Sequence, residues 1–172
     1  MRLLLSLILL CGHLYSGDWA ARMDSLIGLE WQAMPDSQRA VVWAAYDWGK
    51  ERDFRAMGAI YAVESRGDMS VVRLEWNGDE SVGPGQNLVR YAAIRTYGQE
   101  YTEAQYQEVR NLLTTNLNCS LFHSWKHVML GLRKFDTRWE VIKWYNGYGA
   151  PHEKYPARVF AWLRFLDNKR RK

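Results

Sequence analysis

Cysteine and proline are scarce in this sequence: 2 cysteines and 4 prolines in 172 residues. So few prolines, with 48% hydrophobic and 24% charged residues, exclude collagen-like, low-complexity and disordered chains. Two cysteines exclude a densely stapled fold. Cys11 falls in an N-terminal apolar stretch, so removal of that stretch leaves Cys119 alone and the domain dependent on its hydrophobic core. Internal repeats, a linker and a glycine-rich phosphate loop are all lacking, and the length fits one domain. Charge of one sign is also missing, since 23 basic against 19 acidic residues leave +4. Lys169, Arg170, Arg171 and Lys172 form a basic run that reads as a solvated tail, and the aromatics are not interleaved with a basic stripe, which argues against a nucleic-acid partner. What is abundant is aromatic: 14% of residues, with 9 Trp and 10 Tyr. Such side chains build a core or line a surface that stacks on flat ligands.

Long hydrophobic runs are limited to the start. Leu3 to Leu10 is broken only by Ser6 and is too short to cross a bilayer of roughly 30 Å as a helix. Residues 1–20 are therefore expected to be a secretory signal, with a signal-anchor built on residues 3–14 as the alternative. Small residues Ser16, Gly17, Ala20 and Ala21 suit cleavage, but Leu14, Tyr15 and Asp18 interrupt the small-x-small pattern. A single domain is then expected over 21–168, followed by the basic tail 169–172.

Pro35, Asp36 and Ser37 open a helix with Val41, Ala45 and Trp48 at helical spacing. A second helix is expected from Asp53 to Ser65, stopped by Gly67, with Met57, Ile60, Tyr61 and Glu64 on one stripe. Val71, Val72 and Leu74 are strand-like, and Asn77-Gly78 marks the tight turn of a hairpin between Ser70 and Ser81. Further helices are expected from Gln86 to Tyr97, Thr102 to Leu113, Asn118 to Phe135, Thr137 to Tyr145 and Pro156 to Leu166. In the longest, Leu121, Phe122, Trp125, Val128, Met129, Leu132 and Phe135 share a stripe that predicts a central buried helix. Pro156 is read as the first residue of the last helix, whose stripe is Val159, Phe160, Leu163 and Leu166. The fold class is mainly α with a small β-hairpin.

Glu64 is out of place on its stripe. A carboxylate on an apolar helix face near the C-terminal end is disfavoured as an anion by desolvation and by the helix dipole, and both raise its pKa. Such a carboxyl group can stay protonated near neutral pH and act as a general acid, the requirement for breaking a glycosidic bond. The plainer alternative is an ion pair with Arg55 or Arg66. Cys119, His123 and His127 repeat at a spacing of four, but the set drifts around the helix and no carboxylate completes a tetrahedral site, so no metal is expected. No cofactor is expected either.

Glu64 heads a set of four separated segments. They are Glu64-Ser65, Ser81-Val82-Gly83-Pro84-Gly85-Gln86, Tyr145-Asn146-Gly147 and Tyr155 with Val159. In that order they resemble the lysozyme-like lytic transglycosylases of the soluble type. The placing of Cys119 before Trp139-Glu140-Val141 and Tyr145-Asn146 is most similar to small exported members that accompany secretion, conjugation and pilus machines, or phages. The resemblance runs from about Ala56 to Leu166. It implies a goose-type, transglycosylase-like helical domain with its hairpin beside the cleft, in the periplasm or carried by a virion. It also implies cleavage of peptidoglycan between N-acetylmuramic acid and N-acetylglucosamine. Residue by residue, it implies Glu64 as the catalytic acid and base and Ser65 as its paired residue. Ser81 and Gln86 belong to the motif at the sugar-binding cleft, Tyr145 is the tyrosine near the catalytic carboxyl, and Asn146 and Tyr155 are further cleft positions. Two features depart from the family pattern: Pro84 and Gly85 stand where an apolar pair precedes the glutamine, and Gly147 comes one place early.

Ordinary uses exist for each of these residues. Gln86 can start a helix, Tyr145 and Tyr155 can be core aromatics with a surface hydroxyl, and Asn146 can be a left-handed helix terminator. A muramidase on the same fold needs a second carboxylate, for which Asp68, Glu75, Asp79 and Glu80 are candidates. A noncatalytic wall-binding module is the other alternative, favoured by the Pro84-Gly85 departure.

Overall fold

The computed structural model describes residues 21–147 and 154–171. The expected signal segment 1–20, the stretch 148–153 and Lys172 lie outside the described residues. Eight helices and one three-stranded antiparallel sheet make up the described chain, so the mainly helical class holds. Helix α1 covers residues 21–33, with Ile27 and Trp31 buried one turn apart and Met34 just after it, an apolar face the sequence reading passed over. Then come α2 (Asp36–Lys50), α3 (Ala56–Ser65), β1 (Val72–Leu74), β2 (Glu80–Val82), β3 (Asn87–Leu88), α4 (Val89–Tyr97), α5 (Glu103–Thr115), α6 (Leu117–Lys134), α7 (Arg138–Tyr145) and α8 (Lys154–Arg170). No helix among the described residues is long and apolar enough to cross a membrane.

The central helix is α3. All seven residues from Ala56 to Ala62 are buried, between α2 on one side and α8 on another. A helix that is apolar all round has to be enclosed, and three of these seven are alanine and one glycine, which lets neighbours come close. A Cβ on Gly58 would sit 2.9 Å from the Tyr46 Cα and the Val42 carbonyl oxygen of α2, so that crossing depends on its absence. Met57, Ile60 and Tyr61 are buried as their stripe requires, each side chain worth about 1.5–3 kcal/mol on burial.

Several expected boundaries move. The turn before α3 extends to Phe54, because Asp53 takes a left-handed φ of 54° and the Phe54 amide returns to the Gly49 carbonyl at 2.7 Å. Gln86 does not start a helix; its φ is 47°, and Asn87 and Leu88 first pair with Val82 and Ser81 as a third strand. The long helix α6 is not the central one, for Phe122 and Leu132 of its expected stripe are exposed while Ser120, His123, Ser124 and Gly131 are buried. Its inward face joins Leu121 and Val128, which pack in the larger core as their stripe requires, to a row of buried polar side chains. Pro156 lies in the first turn of α8 and not at its first residue, where its missing N–H is still tolerated. The basic tail is partly helical: Lys169 and Arg170 end α8, and Arg170 bonds Asp47 and lies 4.8 Å from the Trp43 ring.

Two cores result. The larger joins α1, α2, α3, α6, α7 and α8, and the smaller is built from Val82, Val89, Ala92, Ala93, Val109 and Leu113 of the sheet, α4 and α5. Glu64, at the end of α3, stands where the sheet meets the larger core.

Candidate active site

Glu64 occupies the last turn of α3, which closes at Arg66 with a left-handed φ of 57°. Its side chain is half-buried, and desolvation is the largest influence on its carboxyl, raising the pKa above the ordinary carboxylate value. The Tyr155 hydroxyl, from α8, donates to Glu64 Oε1 and opposes that rise by favouring the anion. Arg73 lowers the pKa at longer range, Glu75 raises it, and Arg158 lowers it, with burial prevailing. The ion-pair alternative fails on geometry: Arg55 pairs with Asp167 at 3.5 Å, Arg158 with Glu30 at 2.9 Å, and Arg66 is exposed.

The hairpin turns one face to this carboxyl. Register pairs Arg73 with Ser81 and Leu74 with Glu80, so Arg73, Glu75 and Ser81 share a face. Ser81 is buried and its hydroxyl donates to Glu75 Oε1, fixing the Glu75 side chain. Asp79 and Glu80 are occupied elsewhere. Asp79 Oδ1 accepts from the Glu80 amide at 2.8 Å and the Tyr106 hydroxyl at 3.1 Å, while Glu80 holds Arg110 at 2.6 and 3.2 Å. Asp68 bonds Ser70 in its own turn at 2.8 Å. Of the four candidate second carboxylates, Glu75 is the one that acts on Glu64.

The segment Gly83-Pro84-Gly85-Gln86 forms a tight turn pinned by two expected site residues. Ser65 Oγ donates to the Pro84 carbonyl at 2.9 Å and also to Tyr61 O at 3.3 Å, so Ser65 clamps the turn instead of bonding Glu64. Tyr145 donates to the Gly85 carbonyl at 2.7 Å. Tyr145 is near enough to feel the Glu64 charge, but the hydroxyl that bonds the carboxyl is that of Tyr155, which faces inward and not to the surface. Both phenols have pKa values well above the ordinary one, mainly through burial, so both remain donors. Gln86 Nε2 donates to Gly83 O at 3.1 Å and, more weakly, to Val71 O at 3.5 Å; its Oε1 is buried without a donor.

The Pro84-Gly85 departure has a packing reason. A Cβ at Gly85 would overlap Ser124 Oγ and stand 2.9 Å from the Tyr61 ring, so no apolar side chain fits there. Below the turn lies a polar layer in which the Tyr61 hydroxyl meets Ser120 Oγ at 3.2 Å and Ser124 Oγ at 3.1 Å, and Asn87 bonds both serines. Burial pushes Tyr61 up to about 12. Asn146 is exposed at the end of α7 with φ −76°, so the left-handed terminator is Gly147 at 98°, and no bond brings Asn146 to Glu64.

Arg73, Tyr61, Ser124 and Asn87 were missed from sequence. Counting outward from Asn77-Gly78 would have put Arg73 opposite Ser81, but the inward polar face of α6 carries no periodic signal. A separate concavity of about 620 Å³ between the hairpin tip, α4 and α5 is lined by Asp79, Glu80, Tyr101, Tyr106 and Arg110. It lacks Glu64, and its carboxylates are occupied: Asp79 and Glu80 by the bonds above and Glu103 by Gln107 at 2.8 Å. Among the described residues no group of three or more His, Cys, Asp or Glu side chains is placed to hold a metal ion. Cys119 packs against the smaller core and His127 stacks on Trp144 at 4.2 Å. Comparison with protein-family models, curated proteins and solved structures finds no match to this chain.

Proposed function

We propose that this chain is a lysozyme-like lytic transglycosylase that cuts the β-1,4 bond between N-acetylmuramic acid and N-acetylglucosamine in peptidoglycan. The observation that carries the reading is Glu64, a carboxyl raised in pKa by burial at the end of a buried helix, without an ion-pair partner among the described residues and held by the Tyr155 hydroxyl. In the first step Glu64 gives its proton to the glycosidic oxygen as the C1–O bond breaks. In the second, the Glu64 carboxylate takes the proton from the muramic acid 6-hydroxyl while that oxygen bonds C1, closing a 1,6-anhydro ring. The carboxyl is regenerated and no water is consumed. Burial favours the acid form needed first, and the Tyr155 hydrogen bond favours the carboxylate needed second. The unpaired Gln86 Oε1 suits a sugar hydroxyl or acetamido N–H. Export to the periplasm, or carriage by a phage, with service to an envelope-spanning machine, belongs to the same proposal.

One observation favours hydrolysis as a second reading. Glu75, fixed by Ser81 and acting on Glu64 from the facing hairpin, supports this reading as its second carboxylate, the group that would activate water. Clearing of purified sacculi by wild type and Glu64→Gln tests the shared core of both readings. Wild-type clearing with an inert Glu64→Gln supports it, and clearing by the variant removes Glu64 from its role. The effect of Glu75→Gln separates the two: the transglycosylase keeps most of its turnover, whereas a muramidase loses it.

A further inference from the structure

Four arginines are half-buried among the described residues: Arg39, Arg95, Arg110 and Arg158. Three of them hold a carboxylate, Asp36, Glu80 and Glu30 respectively. Arg95, on α4, does not. Its Nε donates to Nδ1 of His123 at 3.4 Å, a long bond to a neutral ring, and its two terminal nitrogens donate to nothing among the described residues. His123 and His127 of α6 are both pushed down to about 4, by burial first and then by the Arg95 charge, so at neutral pH neither is charged. Burial also disfavours the Arg95 cation, and the ionisable group that opposes this is Tyr145, not a carboxylate. A partly desolvated guanidinium without an anion is a costly arrangement, and its free edge presents the paired N–H groups that grip a carboxylate with two parallel bonds. His127, one turn along α6 from His123, meets the Tyr145 ring at 5.1 Å, and Tyr145 bonds the Gly85 carbonyl of the turn that Ser65 clamps, so a continuous set of contacts runs from Arg95 to the neighbour of Glu64.

We propose that Arg95 binds a carboxylate carried by the glycan strand, an inference that rests on the peptidoglycan reading above. The carboxylate belongs either to the stem peptide or to the free lactyl group of peptide-stripped muramic acid. One positive charge flanked by neutral histidines suits a single monoanion.

The test measures KM and kcat of the full chain on intact sacculi, on amidase-stripped glycan strands, and on stripped strands whose lactyl carboxylates have been converted to methyl amides. Arg95→Gln is expected to raise KM about 10- to 100-fold on the preferred carboxylate-bearing substrate with kcat little changed, and to have no further effect on the amide-capped strands. Preference for sacculi over both stripped forms assigns the peptide carboxylate; preference for uncapped strands over both sacculi and amide-capped strands assigns the lactyl group. Arg95→Lys should recover part of the loss, and the melting temperature of Arg95→Gln should not fall, since the guanidinium holds no carboxylate among the described residues and its charge is costly where it is half-buried. An unchanged KM for Arg95→Gln on both carboxylate-bearing substrates overturns the proposal. A wild type that cleaves none of the three overturns the peptidoglycan reading instead. Binding on unmutated protein gives a second readout: N-acetylmuramic acid should move the His123 and His127 ring resonances and N-acetylglucosamine should not. Failure of N-acetylmuramic acid to move them counts against Arg95 as the site.

Discussion

Removing the hydroxyl of Tyr155 perturbs the one direct hydrogen bond that Glu64 receives from a side chain among the described residues. Phe fills nearly the same volume, so Tyr155→Phe isolates the polar contact from the packing of α8. A hydrogen bond to a charged partner contributes about 1.5–3 kcal/mol. It reaches full strength as Glu64 becomes an anion, during proton donation to the leaving oxygen. At tenfold per roughly 1.4 kcal/mol, the variant should turn over about 10- to 150-fold more slowly. The sign of the pH effect follows from the opposing influences on Glu64: burial raises its pKa, Tyr155 lowers it, so losing Tyr155 raises it further. Cleavage needs the protonated carboxyl and fails as pH rises through this pKa, and the alkaline limb of the rate profile should move to higher pH. Tyr145→Phe is the control. Its hydroxyl bonds the Gly85 carbonyl, a neutral contact worth about 1 kcal/mol, so stability should fall slightly while the alkaline limb stays in place. Initial rates of muropeptide release from labelled sacculi across pH, with thermal melts of the same preparations, measure both. Wild-type turnover and an unmoved limb for Tyr155→Phe, or an equal limb shift in Tyr145→Phe, would refute the assignment of Tyr155.

Glu64→Gln should gain stability over wild type as pH rises. The raised folded-state pKa stabilises the wild type fully below the unfolded carboxyl pKa, and this contribution is lost as pH rises through the folded value, so chemical denaturation should show the variant's advantage growing across that window and then levelling. Gly85→Ala should disrupt the turn, because its Cβ overlaps Ser124 and crowds Tyr61; a fall in melting temperature with loss of turnover is expected, and an unaffected variant would mean that the turn shifts freely. Cys119 is a free thiol packed against the smaller core with its pKa pushed up by burial, so alkylation at neutral pH should be slower than for an exposed cysteine and Cys119→Ala should keep full activity. Replacing Arg95 by Gln should raise the pKa of His127 from about 4 toward its ordinary value while burial keeps it depressed, a change that a ring-resonance titration reads directly.

Elements with strong local signals were legible in the sequence. The Asn77-Gly78 turn, the stripe Met57-Ile60-Tyr61-Glu64 and the helix starts at Thr102 and Thr137, which prove to be capping residues, each express a preference of a few neighbouring residues, and the structure keeps them. Glu64 was visible because a carboxyl interrupts an apolar period. Features set by long-range packing were not legible. Whether Tyr145 or Tyr155 meets Glu64 depends on how α7 and α8 cross α3, and whether Gln86 opens a helix depends on pairing between β2 and β3. The inward polar face of α6 was misread for the same reason: Ser120 and Ser124 are buried because Tyr61 and Asn87 bond them, and those partners lie 59 and 37 residues away in the chain. Arg95 looks like any helical arginine until every other half-buried one is seen to have an anion.

The most direct test of the central claim is mass spectrometry of the muropeptides released from purified sacculi by the wild-type chain. Products ending in 1,6-anhydro-muramic acid, lighter by one water than reducing ends and absent with Glu64→Gln, are what the account predicts. Reducing ends alone would contradict the transglycosylase step and assign water activation to Glu75, and release of no product at all would contradict the enzyme reading itself.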